Sequence, residues 1–246
     1  MEERRTEILN GVSAKLNIRT LKEPQIVMKI LQCGCSIFTF LTTASFSTTF
    51  SFLVVCETRT IDKNTYLIEE RISYPFWIGS VQSDYELCDR NYEQLHLSGD
   101  FSTNAVFFVV VGVMALLYAV FTMGVYICFI HIYSTRTWVP ALDWFVHAAF
   151  TVLWLAASIA WIKGLVGMQI ATYVPTIMEE HIDICGVFEC QSPKEPDFSL
   201  LYVSITFGFV NVFLWATNFA FLYKETCFYK NRMSFDAGAA DSSVPV

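Results

Sequence analysis

Asp143 and His147 stand four residues apart, a spacing that puts a carboxylate and an imidazole on one helix face, where they can pair or exchange a proton. Pro140, just before them, suits a first helical turn. One such pair is too little for a proton relay across a membrane, so a structural pairing is expected. Asn211 and Asn218 lie a heptad apart with Trp215 between them. On a helix they share a face and can hydrogen-bond to a neighbouring helix, or less readily line a pore. Eight cysteines offer redox chemistry. Cys185 and Cys190 have four residues between them, however, and the two-residue spacing of redox-active pairs is missing. There is no glycine-rich phosphate loop, no paired His and Glu of a zinc protease and no nucleophile elbow. No catalytic residue, metal ligand or cofactor is assigned, and the chain is expected not to be an enzyme.

The elements that carry these residues are set by hydropathy. Hydrophobic residues make up 54% of the 246 and charged residues only 16%, and the apolar ones collect in four blocks. A bilayer core about 30 Å thick needs roughly 20 apolar residues per helical crossing. Four spans meet this, at about 26–55, 105–130, 144–162 and 200–223. Unpaired amides in hydrocarbon are costly, so the blocks must be helices or a closed barrel, and their length favours helices. The fold class expected is an all-α integral membrane protein, a four-helix bundle. In the first span Lys29 is expected to carry its ammonium out to the headgroups. Eight hydroxyl residues between Thr39 and Ser51 in that span suggest a polar channel lining as a less favoured reading. Small residues at four-residue spacing, Ala115 and Ala119, Ala156 and Ala160, and Ser204 and Gly208, allow close helix approach.

Charge orients the chain. Segments 1–25, 131–143 and 224–246 together hold nine Lys or Arg against eight acids, whereas loops 56–104 and 163–199 hold six against fifteen. The basic excess marks the cytosolic side, which places both termini there and makes the two long loops luminal. The N-terminal segment lacks a short apolar core with a cleavage site and reads as cytosolic rather than as a signal peptide. Cys56, Cys88, Cys185 and Cys190 then fall on the oxidising side, where disulfides persist. Cys33, Cys35 and Cys128 lie within spans as packing residues. Cys227, just past the fourth span, is positioned for palmitoylation.

Several segments in order resemble the synaptophysin family, whose membrane core is the four-helix MARVEL domain. They are Glu23-Pro24 with Lys29, Leu31 and Gln32; Val55-Cys56; Tyr74-Pro75-Phe76; Gly99-Asp100-Phe101-Ser102 with Phe107-Phe108; and Leu142-Asp143 with Trp154-Leu155, Trp161 and Lys163-Gly164-Leu165. Phe207-Gly208-Phe209, Asn211, Leu214-Trp215, Asn218 and Lys224-Glu225-Thr226 complete the set, so that the likeness covers about residues 20–228. The resemblance implies a secretory or synaptic vesicle membrane protein acting in vesicle trafficking and exocytosis, which self-associates and binds cholesterol and the vesicle SNARE synaptobrevin without catalysis. Four luminal cysteines allow three pairings. Closing each loop on itself joins Cys56 to Cys88 and Cys185 to Cys190, a choice the resemblance supports, and would staple both luminal loops. Neither loop has an Asn-x-Ser/Thr sequon, and the tail lacks the long Tyr-, Gly- and Pro-rich repeats of synaptophysin. The competing functional classes are an oligomeric channel and a membrane thiol oxidoreductase.

Overall fold

The computed structural model describes residues 24–57, 63–78, 82–83, 95–96, 99–128, 138–180, 189–224 and 226. Among them four helices are long and apolar enough to cross a membrane: α1 (Pro24–Ala44), α2 (Ser102–Cys128), α3 (Trp138–Ala171) and α5 (Ser199–Tyr223). A short helix α4 (Val174–Glu180) follows α3. The strands are β1 (Ser47–Glu57), β2 (Lys63–Ser73), β3 (Gln82–Ser83), β4 (Leu95–His96) and β5 (Glu189–Lys194). The fold is mostly helical, with a sheet the sequence did not announce.

That sheet corrects the first span, and with it the all-α class. Helix α1 stops at Ala44, and residues expected to stay in the membrane to 55 form β1. Phe50, Phe52 and Val54 are buried at alternate positions, the period of a strand. A hydropathy window registers only that the run is apolar; its β-branched and aromatic residues suit a strand, and pairing on both edges selects it. β1 is the central strand in the order β2-β1-β5, antiparallel to both, and pairs with β2 from Ser47↔Ser73 to Glu57↔Lys63. The hydroxyl cluster that suggested a channel lining divides accordingly. Thr42 and Thr43 bond back to carbonyls of α1. Thr48 accepts from the Asp197 amide, Thr49 from Lys194 Nζ and Ser47 from Arg71, all within the sheet and its margins.

The third span is longer than expected. Helix α3 runs 34 residues, roughly 51 Å at 1.5 Å per residue, against a slab of about 30 Å. The span expected to end at about 162 continues as helix to Ala171. Its glycines serve packing: a Cβ on Gly167 would meet the Phe101 ring at 2.5 Å, and one on Gly164 would stand 3.0 Å from Asn104 Cβ.

The chain divides into two compact units, and each long helix contributes to both. The first comprises residues up to Ile37, Val111–Ala156 and Phe207 onward; the second comprises Phe38–Val110 and Ala157–Thr206. The second holds the three-stranded sheet and an aromatic core in which Phe76 meets Phe46, Tyr74 and Trp161, and Trp161 stacks on Phe108 while its Nε1 donates to Ser204.

In this unit α2 and α5 start alike, with Asp-Phe-Ser. Asp100 accepts from the amide and hydroxyl of Ser102, and Asp197 from those of Ser199, satisfying N-terminal donors of each helix. These hydrogen bonds hold both carboxyls below the ordinary Asp value of 3.8. A depressed folded-state value means that the stabilisation is present above the unfolded value and is lost as pH falls through the folded one. Detergent-solubilised protein should therefore keep this contribution down to about pH 4 and lose it below. Asp100→Asn with Asp197→Asn should flatten that acid limb, and an unchanged limb in a thermal-unfolding pH series would overturn the assignment.

Candidate functional site: a buried polar network in the first unit

The first unit reverses the arrangement of a water-soluble core. Leu117, Phe121, Val152 and Phe213 face outward at 64–72% exposure. Lys29, Gln32, Ser36, Asp143, His147, Asn211 and Asn218 are buried. Soluble proteins avoid apolar surface on this scale. In lipid no hydrophobic force drives helices together, so interior polar contacts and close packing hold them.

One polar cluster takes a residue from every long helix. Tyr118 of α2 donates to Asp143 of α3 at 2.6 Å. Lys29 of α1 lies 3.6 Å from the same carboxylate and 3.0 Å from His147 Nε2. Asn218 Nδ2 of α5 is 2.9 Å from that same Nε2. His147 Nδ1 lies 2.8 Å from the Asp143 carbonyl and 3.1 Å from its carboxylate. Two acceptors on Nδ1 and two donors on Nε2 assign the ring proton to Nδ1. Trp215 covers the imidazole at 4.8 Å, Phe150 packs on Trp215 at 4.6 Å, and the Lys29 ammonium sits 5.4 Å over the Tyr118 ring.

Asp143 and His147 do meet, at the helix spacing read from the sequence. Lys29 departs from expectation: instead of reaching headgroups it is buried at 6% exposure against Asp143. A fixed anion inside the helices is a better partner for an ammonium than a lipid surface its stem must stretch to reach. Asn211 and Asn218 both make hydrogen bonds within the chain, Asn218 through its Nδ2. Ser36 donates to Asn211 Oδ1 at 3.3 Å, linking α1 to α5.

Sequence reasoning missed the depth of this polar lane. Lys29, Gln32, Ser36, Thr39 and Thr43 recur every three or four residues along α1, and all are buried. The spacing is that of a coiled-coil seam, and it would have been found by testing polar rather than apolar periodicity. Of the small-residue pairs, Ala115 and Ala119 are buried, as are Ser204 and Gly208. Ala156 is exposed, and its neighbours Ala157 and Ser158 face inward instead.

Among the described residues no group of three His, Cys, Asp or Glu is assembled for a metal. Cys33 and Cys35 are half-buried on α1 and form no disulfide. Cys190 is buried on β5 and disulfide-bonded. Cys88, Cys185 and Cys227, and the side chains of Cys56 and Cys128, lie outside the described residues.

Four apolar helices with a polar, ion-paired interior define a multi-span membrane protein. The family model of the MARVEL membrane-associating domain matches residues 20–221. The chain belongs to that family.

Proposed function

We propose that this protein is a non-enzymatic, synaptophysin-like organiser of secretory or synaptic-type vesicle membranes. On this reading both termini are cytosolic and the sheet faces the vesicle lumen, where Cys56 with Cys88 and Cys185 with Cys190 would staple the two loops. It associates laterally with itself, with cholesterol-containing bilayer and with a synaptobrevin-type SNARE, and so serves vesicle trafficking and exocytosis. The observation that supports lateral association is the distribution of side chains on α5. Asn211 and Asn218 turn inward and are consumed by Ser36 and His147, while Phe209 and Phe213 are 39% and 72% exposed. A partner meeting α5 within the bilayer therefore finds aromatic faces, and its binding rests on packing. The sequence resemblance, residue by residue, supports the choice within the MARVEL family.

The test separates face from interior. Phe209→Ala with Phe213→Ala should leave unfolding and vesicle localisation unchanged and reduce co-purification of synaptobrevin and of tagged self from mild detergent about tenfold, roughly 1.4 kcal/mol. Capture that survives these substitutions but is lost on removing residues 228–246 would sink the proposal and make the tail the binding element.

A further inference from the structure

The first unit contains a cavity of about 140 Å³ at the end where α1 and α3 begin and α2 and α5 finish. Gln25, Tyr126, Val139 and Leu222, from the terminal turns of the four helices, line it, and Ile26, Val125 and Val146 make apolar wall. Lys29, Asp143 and Asn218 also border it, so the buried network forms one side. We infer that this cavity holds the glycerol head of a neutral glycerolipid, a monoacyl- or diacylglycerol, whose acyl chain remains in the bilayer.

Four features converge on that chemistry. The first is depth: terminal turns of membrane-crossing helices lie at the boundary between hydrocarbon and headgroups, which is where glycerol backbones sit. The second is size, because a cavity of about 150 Å³ admits benzene. Glycerol has the same number of heavy atoms, whereas the fused rings of a sterol are far larger.

The third is charge. Lys29 and Asp143 stand 3.6 Å apart and offset each other. A phosphate head would find its cation already engaged and a carboxylate beside it, and an amine head would face the Lys29 ammonium. An uncharged head meets neither penalty.

The fourth is hydrogen bonding. Asn218 spends its Nδ2 on His147, and its Oδ1 is buried without a partner. The Thr122 hydroxyl, also on the wall, donates to the Tyr118 carbonyl at 2.9 Å, which leaves its oxygen to accept. Two acceptors call for a ligand that donates O–H, as a glycerol hydroxyl does.

The experiment uses the full chain in phosphatidylcholine nanodiscs with a photoreactive 1-oleoylglycerol as probe. Saturable crosslinking is expected, competed by unlabelled 1-oleoylglycerol but not by methyl oleate, cholesterol or phosphatidic acid. Thr122→Val should weaken the apparent affinity about threefold and Val146→Phe, which fills the cavity, about tenfold or more. Val146→Phe leaves every network hydrogen bond in place, so its thermal unfolding without lipid should match the parent. Asn218→Leu should also abolish capture, and it is read only beside Val146→Phe because it removes a bond to His147. Non-saturable labelling, competition by phosphatidic acid or cholesterol, or parent-like capture by a folded Val146→Phe would each overturn the inference. None of these outcomes bears on the SNARE and self-association experiment, so the two proposals fail separately.

Discussion

Asp143→Ala should destabilise the protein by about 3–5 kcal/mol, the cost of breaking a buried ion pair by removing one partner. The carboxylate holds three helices at once: Lys29 of α1 at 3.6 Å, Tyr118 of α2 at 2.6 Å and its own neighbour His147 at 3.1 Å. Without it the Lys29 ammonium stays at 6% exposure beside an imidazole, with no anion among the contacts described above. Lys29→Met should cost less, because Asp143 then keeps the Tyr118 hydroxyl and His147. The double variant Lys29→Met/Asp143→Ala should be less damaged than the sum of the singles, since it leaves no unpaired charge. Unfolding in mixed micelles of mild and denaturing detergent gives each value. Single losses under about 1 kcal/mol, or strict additivity, would show the pair to be solvated and weak.

How far the residues announced this arrangement depended on the range of the contact. Asp143 and His147 were legible because both partners lie within one helical turn. The lateral position of Asn211 and Asn218 on one helix face was legible too, since seven residues return to the same face. Their partners Ser36 and His147 were not, because pairings of α5 with α1 and α3 are tertiary. Lys29 failed for the same reason: one charge near the start of a span looks the same whether it reaches out to water or inward to a carboxylate. The four apolar blocks survive as helices, but their ends shifted wherever composition was ambiguous. At Ser47–Glu57 the apolar and hydroxyl content fits a strand as well as a span, and only pairing with Lys63–Ser73 and Glu189–Lys194 selects the strand. Past 162 the apolar block ends but the helix does not, and Gly164 and Gly167 lie where Asn104 and Phe101 come close.

The inward polar lane and the outward apolar faces have one cause. A helix surrounded by acyl chains gains nothing by hiding Leu or Phe, and loses heavily if an amide or charge is left among them. Side chains that would bind water in a soluble protein are therefore drawn to one another, as Lys29 is to Asp143 and His147 and Ser36 to Asn211 from one buried face of α1. On the two proposals made above, partner selectivity is left to the shape of the outer faces, and lipid binding to the place where the polar side of the interior borders a cavity.

Phe76→Ala should cost the second unit about 3–5 kcal/mol, the range for truncating a buried Phe whose surroundings cannot collapse. Phe76 is 1% exposed, and its ring lies 5.2 Å from Trp161, 5.8 Å from Phe46 and 6.0 Å from Tyr74. It thereby joins the end of β2, the start of β1 and helix α3. Its backbone is tied on both sides as well, donating to Ser73 O at 2.8 Å and accepting from the Phe101 amide at 3.2 Å. Those bonds hold it at a φ of 69°, a conformation side chains other than Gly seldom adopt. Alanine keeps that backbone cost and loses the ring, so nothing offsets the cavity. Phe76→Leu keeps most of the volume and should lose only about 1–2 kcal/mol. Trp161, wholly buried and bonded to Ser204 at 3.0 Å, reports the change. Its fluorescence should shift to the red in the Ala variant, and a version with the other five tryptophans replaced by Phe isolates the signal. An Ala variant within about 1 kcal/mol of the parent, with Trp161 emission unmoved, would mean that the sheet and α3 are held together without Phe76.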